Sequence, residues 1–205
     1  MNWLTRRKTS RAEDMAYCML GLLSISMPLL YGEGEKASLR LQMQIVSTTD
    51  DVSVFAWGLL GHGYLKHEHP DDGMLALRPS YFAGSARVEI YRESERVADR
   101  LPYAMTNTGL QFNVVPDPGE VPDLEYKLEL NCYESSENDP YNDRKWPIEI
   151  LLTKPSSSAR LWKRDSSVVL PDPRSKPRNQ GGSHLVLNAF QPRDIHDFYR
   201  WYPGS

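Results

Sequence analysis

The chain is short of the features that would place it at once in a specialised class. It has two cysteines among 205 residues, Cys18 in an apolar helical run and Cys132 on the apolar face of a strand. Both fit small buried hydrophobes, and a chain of this length does not need a disulfide between them, although one is open to it. No apolar run approaches the ~20 residues of a bilayer-spanning helix. Arg6-Arg7-Lys8 are not followed by the apolar stretch of a signal peptide, because Glu13 and Asp14 interrupt it. A cytoplasmic location is therefore expected. Charge of one sign is not in excess either: 24 Lys and Arg stand against 27 Asp and Glu. With no basic stripe, nucleic acid is not an expected partner.

Catalytic signatures are equally sparse. Nucleophilic catalysis needs a Ser or Cys held against an oriented base, and no G-x-S-x-G elbow is present. Gly32-Glu33-Gly34 lacks the glycine spacing and the following Lys-Ser/Thr of a phosphate cradle. Glu33 and Glu35 flank a glycine at a helix start, where negative charge complements the helix dipole without doing chemistry. His62, His67, His69, Asp71 and Asp72 are chemically suited to a metal, but their spacing fits no closed motif and reads as a solvated loop. No cofactor or metal is expected.

Hydrophobic residues make up 40% and charged residues 25% of the chain, enough for one or two packed domains. The densest pattern lies in residues 10–57. Ser10 and Glu13 have the spacing of a capping box, and Ala12, Ala16, Met19, Leu20 and Leu23 then follow at helical steps. Met27-Pro28 is the expected stop. A Gly-rich hinge over 29–36 leads to a second helix over about 35–48, with Ala37, Leu41 and Ile45 on its buried face. Asp50-Asp51 break that helix, and 52–57 reads as a short buried strand. Residues 1–9 read as a poorly packed lead-in.

The same stretch resembles the last segment of the fungal heterokaryon incompatibility (HET) domain. The resemblance is carried by R-A-E-D-M-A-Y-C-M-L-G-L, M-P-L-L-Y-G-E-G-E-K-A, R-L-Q and D-D-V-S-V-F-A-W, in that order. Its motif positions here are Arg11, Glu13, Asp14, Tyr17, Pro28, Leu30, Tyr31, Gly32, Glu33, Gly34, Phe55 and Trp57. The family's earlier blocks are missing, so the resemblance implies a truncated HET domain over 1–58. It also implies a role in allorecognition and programmed cell death. Complete HET domains look similar to TIR-type domains, which self-associate and in some cases cleave NAD. The expected function is accordingly a non-catalytic interaction or regulatory protein, which binds a protein partner or itself through the helical hairpin. The alternative is a small hydrolase or NAD-cleaving enzyme that uses Glu33 or the histidine loop.

After a linker over 59–73, the pattern turns from helical to alternating. Residues 74–83 read as a turn or helical segment ending at Gly84. Val88 and Ile90 mark one short strand, and Leu110, Phe112 and Val114 a second, entered through a turn at 106–109. In 123–133, Leu124, Tyr126, Leu128, Leu130 and Cys132 share one face. Trp146, Ile148, Ile150 and Leu152 repeat this, with further candidates at 161–162, 168–170 and 185–187. Short strands between turns predict an α+β chain, a helical hairpin followed by an antiparallel β-sandwich or partial barrel over 74–205. Leu77-Arg78-Pro79-Ser80-Tyr81-Phe82-Ala83-Gly84 and Met105-Thr106-Asn107-Thr108-Gly109-Leu110 resemble the β-rich domain that commonly follows a HET tail. That resemblance implies no activity. Phe198, Tyr199, Trp201 and Tyr202 read as an aromatic segment packed against a sheet edge.

Overall fold

The computed structural model describes residues 9–60, 63–64, 73–91, 103–106, 109–114, 124–135, 145–160, 162–169 and 185–189. The histidine loop, the 107–108 turn, Leu170, the basic segment 171–182 and the aromatic residues 198–202 lie outside them.

The first helical run is split. Helix α1 (Ala12–Tyr17) and helix α2 (Leu20–Leu23) are separated by a turn at Cys18 and Met19, where Met19 N–H donates to Ala16 O at 3.0 Å. The expected capping box is not formed. Arg11 is the extended residue ahead of α1, without a side-chain cap, because Glu13 has left the local cap for a contact farther along the chain. The run also stops before Pro28. Ser24 adopts φ 53°, in the left-handed region, and Ile25 N–H reaches back to Leu20 O at 3.0 Å. This is a helix-ending geometry that needs no proline.

Helix α3 (Lys36–Thr48) closely follows the expected span. Ala37, Leu41 and Ile45 are buried as the periodicity predicts, together with Leu39, Val46 and the polar Gln42. The helix ends in β-branched polar residues whose hydroxyls bond back to its last carbonyls: Thr48 to Gln44 O at 2.7 Å and Thr49 to Ile45 O at 3.0 Å. These bonds reinforce the last turn, where Ile45 O also accepts from Thr49 N–H at 2.9 Å.

Residues 52–57 do not form a strand. Asp51 accepts from Ser53 N–H at 2.9 Å and starts a 3-10 turn over Val52–Phe55. An Asp that bonds to the backbone two residues on offers the chain a turn in place of a ladder. Val52, Val54 and Phe55 are all buried, so an apolar run that resembles a core strand is instead a core turn. The Phe55 ring meets those of Tyr103 at 5.3 Å and Phe112 at 5.5 Å, both edge-on.

All described strand pairs are antiparallel. Strands β1 (Leu59–Leu60) and β2 (Gly63–Tyr64) pair in a small ribbon that falls in the expected linker. Strands β3 (Val88–Ile90), β6 (Glu125–Ser135), β7 (Lys145–Thr153) and β8 (Lys163–Val169) form a sheet in the order β3-β6-β7-β8. Strands β4 (Tyr103–Thr106), β5 (Gly109–Val114) and β9 (Leu185–Ala189) form a second, in the order β4-β5-β9. Helices with antiparallel sheets make the chain α+β.

Tyr126, Leu128, Leu130 and Cys132 on β6 are buried, as are Ile148, Ile150 and Leu152 on β7. Alternation in the sequence thus gives the inward face directly. Leu124 and Ile90, also read as inward, are exposed. The β6–β7 register shifts between Glu129 and Tyr133, and beyond the shift the consecutive residues Cys132, Tyr133 and Glu134 are all buried. Residues 79–82 form the expected helical segment, as a 3-10 turn. One contiguous core joins Leu41 and Ile45 of α3 to Phe55, Phe112, Leu128 and Ile150. The apolar face of α3 is therefore covered by this chain's own strands. Cys18 and Cys132 are both free thiols.

Candidate functional site

The hinge after α2 is shaped by side chains from α1 and α3. Gly32 and Gly34 take φ of 98° and 59°, conformations that favour glycine. Their N–H groups both donate to Oε1 of the buried Glu13, at 2.7 and 2.9 Å. The hinge backbone thus wraps a carboxylate. These bonds, from Gly34 foremost, together with the carboxyl's own backbone N–H, hold the Glu13 pKa below the usual glutamate value.

Tyr17, one helical turn farther on, ties down the other half of the hinge. Its hydroxyl accepts from Leu30 N–H at 2.7 Å and lies 2.7 Å from Glu33 Oε1 and 2.8 Å from Leu30 O, either of which can take its proton. Burial, then the bond to Glu33, raises its pKa. Arg40 reaches in from α3 and donates to Pro28 O at 2.6 Å and Glu33 Oε1 at 2.8 Å. The Arg11 guanidinium lies 4.9 Å from the centre of the Tyr31 ring, which meets Tyr17 edge-on at 5.6 Å. Asp14 stands in the first turn of α1.

The structure therefore brings Glu13, Tyr17, Pro28, Leu30, Gly32, Glu33 and Gly34 into one hydrogen-bonded cage, with Arg11 and Tyr31 stacked beside it. Within it the Glu33 oxygen is engaged by a cation and a phenol, and that of Glu13 by two amides. Each contact fixes backbone shape. What the cage presents outward is apolar: Leu29, Leu30 and Tyr31 are 53%, 51% and 54% exposed, and Leu22 on α2 is 65% exposed. These open apolar side chains fall on the hinge and on the short helix before it.

Phe55 and Trp57 lie apart from the cage, on a segment held from several sides. Arg164 on β8 donates to Phe55 O at 2.9 Å and to Trp57 O at 2.8 Å. Ser85 donates to Ala56 O at 2.6 Å, and Gly58 N–H donates to Tyr81 O at 2.8 Å. The Trp57 indole N–H donates to Met74 O at 2.8 Å, and its ring lies 3.6 Å from the Arg164 guanidinium carbon. Arg164 is 1% exposed, and burial pushes its pKa down to about 9, so it remains a cation at neutral pH.

Sequence reasoning met Arg40 and Gln42 only as part of the R-L-Q motif, with no role assigned, and did not single out Ser85 or Arg164. Gln42 carries the one visible signal, an amide on the apolar stripe of α3, and it pairs with both backbone groups of Ala76 at 2.7 and 2.9 Å. Arg164 carries none, since a cation in a strand ordinarily faces water. Among the described residues, no group of three His, Cys, Asp or Glu could hold a metal ion, and no helix is long and apolar enough to cross a membrane.

No protein-family profile matches the chain, and no solved structure does. A 46-residue segment, 22% of this chain, is 50% identical to "Vegetative incompatibility protein HET-E-1" of Podospora anserina. That segment is only 3% of the relative's length. The similarity supports a fungal, heterokaryon-incompatibility-related origin for the chain.

Proposed function

We propose that the chain is a non-catalytic interaction or regulatory protein of the heterokaryon-incompatibility type. It serves fungal self/non-self recognition and programmed cell death by binding a protein partner or a second copy through its helical hairpin. The observation that carries this reading is the exposed Leu22, Leu29, Leu30 and Tyr31 surface, set on a hinge whose polar groups are spent on holding its shape. In this reading 1–58 corresponds to the C-terminal part of a HET domain, 59–73 to a linker and 74–205 to a β-rich domain, in a cytoplasmic protein. The two larger sheets close over the shared core as a sandwich or partial barrel.

The test is association against concentration, followed by light scattering on a sizing column. The wild type is expected to associate, and Leu29→Ser with Leu30→Ser is expected to abolish this while leaving the circular dichroism unchanged. A monomeric wild type that hydrolyses NAD, with turnover lost in Glu33→Gln, would overturn the proposal and favour the enzyme.

A further inference from the structure

The segment from Phe55 to Gly58 leaves its turn without joining a strand ladder, yet its polar backbone is captured. Three successive carbonyls, those of Phe55, Ala56 and Trp57, accept from side chains: Arg164 at the first and third, Ser85 at the second. Arg164 comes from β8, 109 and 107 positions away along the chain. It lies opposite Leu152 in the β7–β8 register, on the inward face of the sheet. No described carboxylate pairs with it, and its Nε is buried without a partner. A buried cation of this kind is held by what surrounds it, here two carbonyl dipoles and the face of Trp57. If the segment moved away, both the carbonyls and the charge would be left buried without partners. The two sides of the contact are thus costly to separate.

We infer that Arg164 is a coupling latch, through which the four-stranded sheet and the α3–Trp57 segment open as one cooperative unit. The Phe55 contacts alone do not require this, because apolar packing is non-directional and yields gradually. A fork donating to two carbonyls of one segment is lost in a single step. The hinge with its exposed leucines is carried on the same helical segment, so its presentation depends on a residue of β8. This inference does not rest on what the hinge binds.

Native-state hydrogen exchange on the full chain tests it, comparing amides of Leu41, Gln42 and Ile45 in α3 with those of Leu128 and Ile150 in the sheet. In the wild type the two sets are expected to share one opening event. Arg164→Met should split them, with α3 losing on the order of tenfold more protection than the sheet. Ser85→Ala, acting on the carbonyl between, should move the α3 set in the same direction. Arg164→Lys keeps the charge but not the fork; it should give a smaller split, and it replaces the methionine variant if that one fails to fold. Equal losses in both sets would make Arg164 an ordinary core residue and overturn the inference. So would a wild type whose two sets already open separately.

Discussion

The carboxylate of Glu13 accepts from Gly34 N–H at 2.9 Å, although the two residues stand 21 positions apart. A side chain spaced to cap its own helix has instead become the centre of a turn that begins after the next helix has ended. The Gly-Glu-Gly hinge is therefore not simply flexible sequence. Its two left-handed glycines aim their N–H groups at one oxygen.

The acid limb of stability should report this contact. Because folding lowers the Glu13 pKa from its ordinary 4.5, the stabilisation is fully present above that value and is lost as pH falls through the folded value. Urea midpoints taken from pH 7 down to pH 3 should fall more steeply for the wild type than for Glu13→Gln. Parallel curves for the two proteins would count against the contact.

Glycine substitutions should separate conformation from space. A Cβ on Gly21, Gly32 or Gly34 would meet nothing within 4 Å, so only backbone geometry distinguishes them. Gly32→Ala and Gly34→Ala should each cost about 1–2 kcal/mol. Gly21→Ala, inside α2, should stabilise by up to about 1 kcal/mol. Chemical denaturation with an unchanged m-value provides the comparison.

Gln42→Leu keeps the bulk of the side chain and removes both bonds to Ala76. Each orphaned backbone group should cost about 1–3 kcal/mol, offset in part by the apolar replacement. The loss should appear as a lower melting temperature, and exchange at the Ala76 amide should rise. A melting temperature equal to the wild type's would contradict the pairing.

Tyr103 donates to Thr49 O at 2.7 Å, and burial first, then the charges of Asp51 and Asp50, push its pKa up to about 12. With an ordinary value of 10 in the unfolded chain, its stabilisation is complete below about pH 10 and disappears as pH rises through 12. Ultraviolet titration should show a late-ionising phenol that Tyr103→Phe removes, and the alkaline fall in stability should be shallower in that variant.

Elements whose pattern is set by one buried face could be read directly. Leu41 and Ile45 on α3, and Tyr126 to Cys132 on β6, repeat at the period of their own backbone. Where a distant partner decides, the sequence misleads. Ser10 and Glu13 satisfy a local capping rule, but two glycine amides beyond Pro28 compete for the carboxylate and win it. Val52 to Trp57 look like a strand because every apolar residue among them is buried, yet Asp51 starts a turn and side chains, not a neighbouring strand, take up the carbonyls. Tyr17, Glu33 and the hinge glycines were legible as a motif. Arg40 stood in the R-L-Q motif, but its part in completing their cage was not legible, because an arginine on a helix gives no sign of which way it reaches.

The dependence of Phe55 on a residue 109 positions downstream has a consequence during synthesis. The ribosome releases α3 and its apolar face well before β6, β7 and β8, the strands that complete their shared core, have been made. Until then the nascent helices can pack against one another and against Tyr103 and Phe112 of β4 and β5, an incomplete shelter for Leu41, Ile45 and Phe55. Folding must wait for the far end of the chain, and in that interval the newborn polypeptide is a natural client for a holding chaperone.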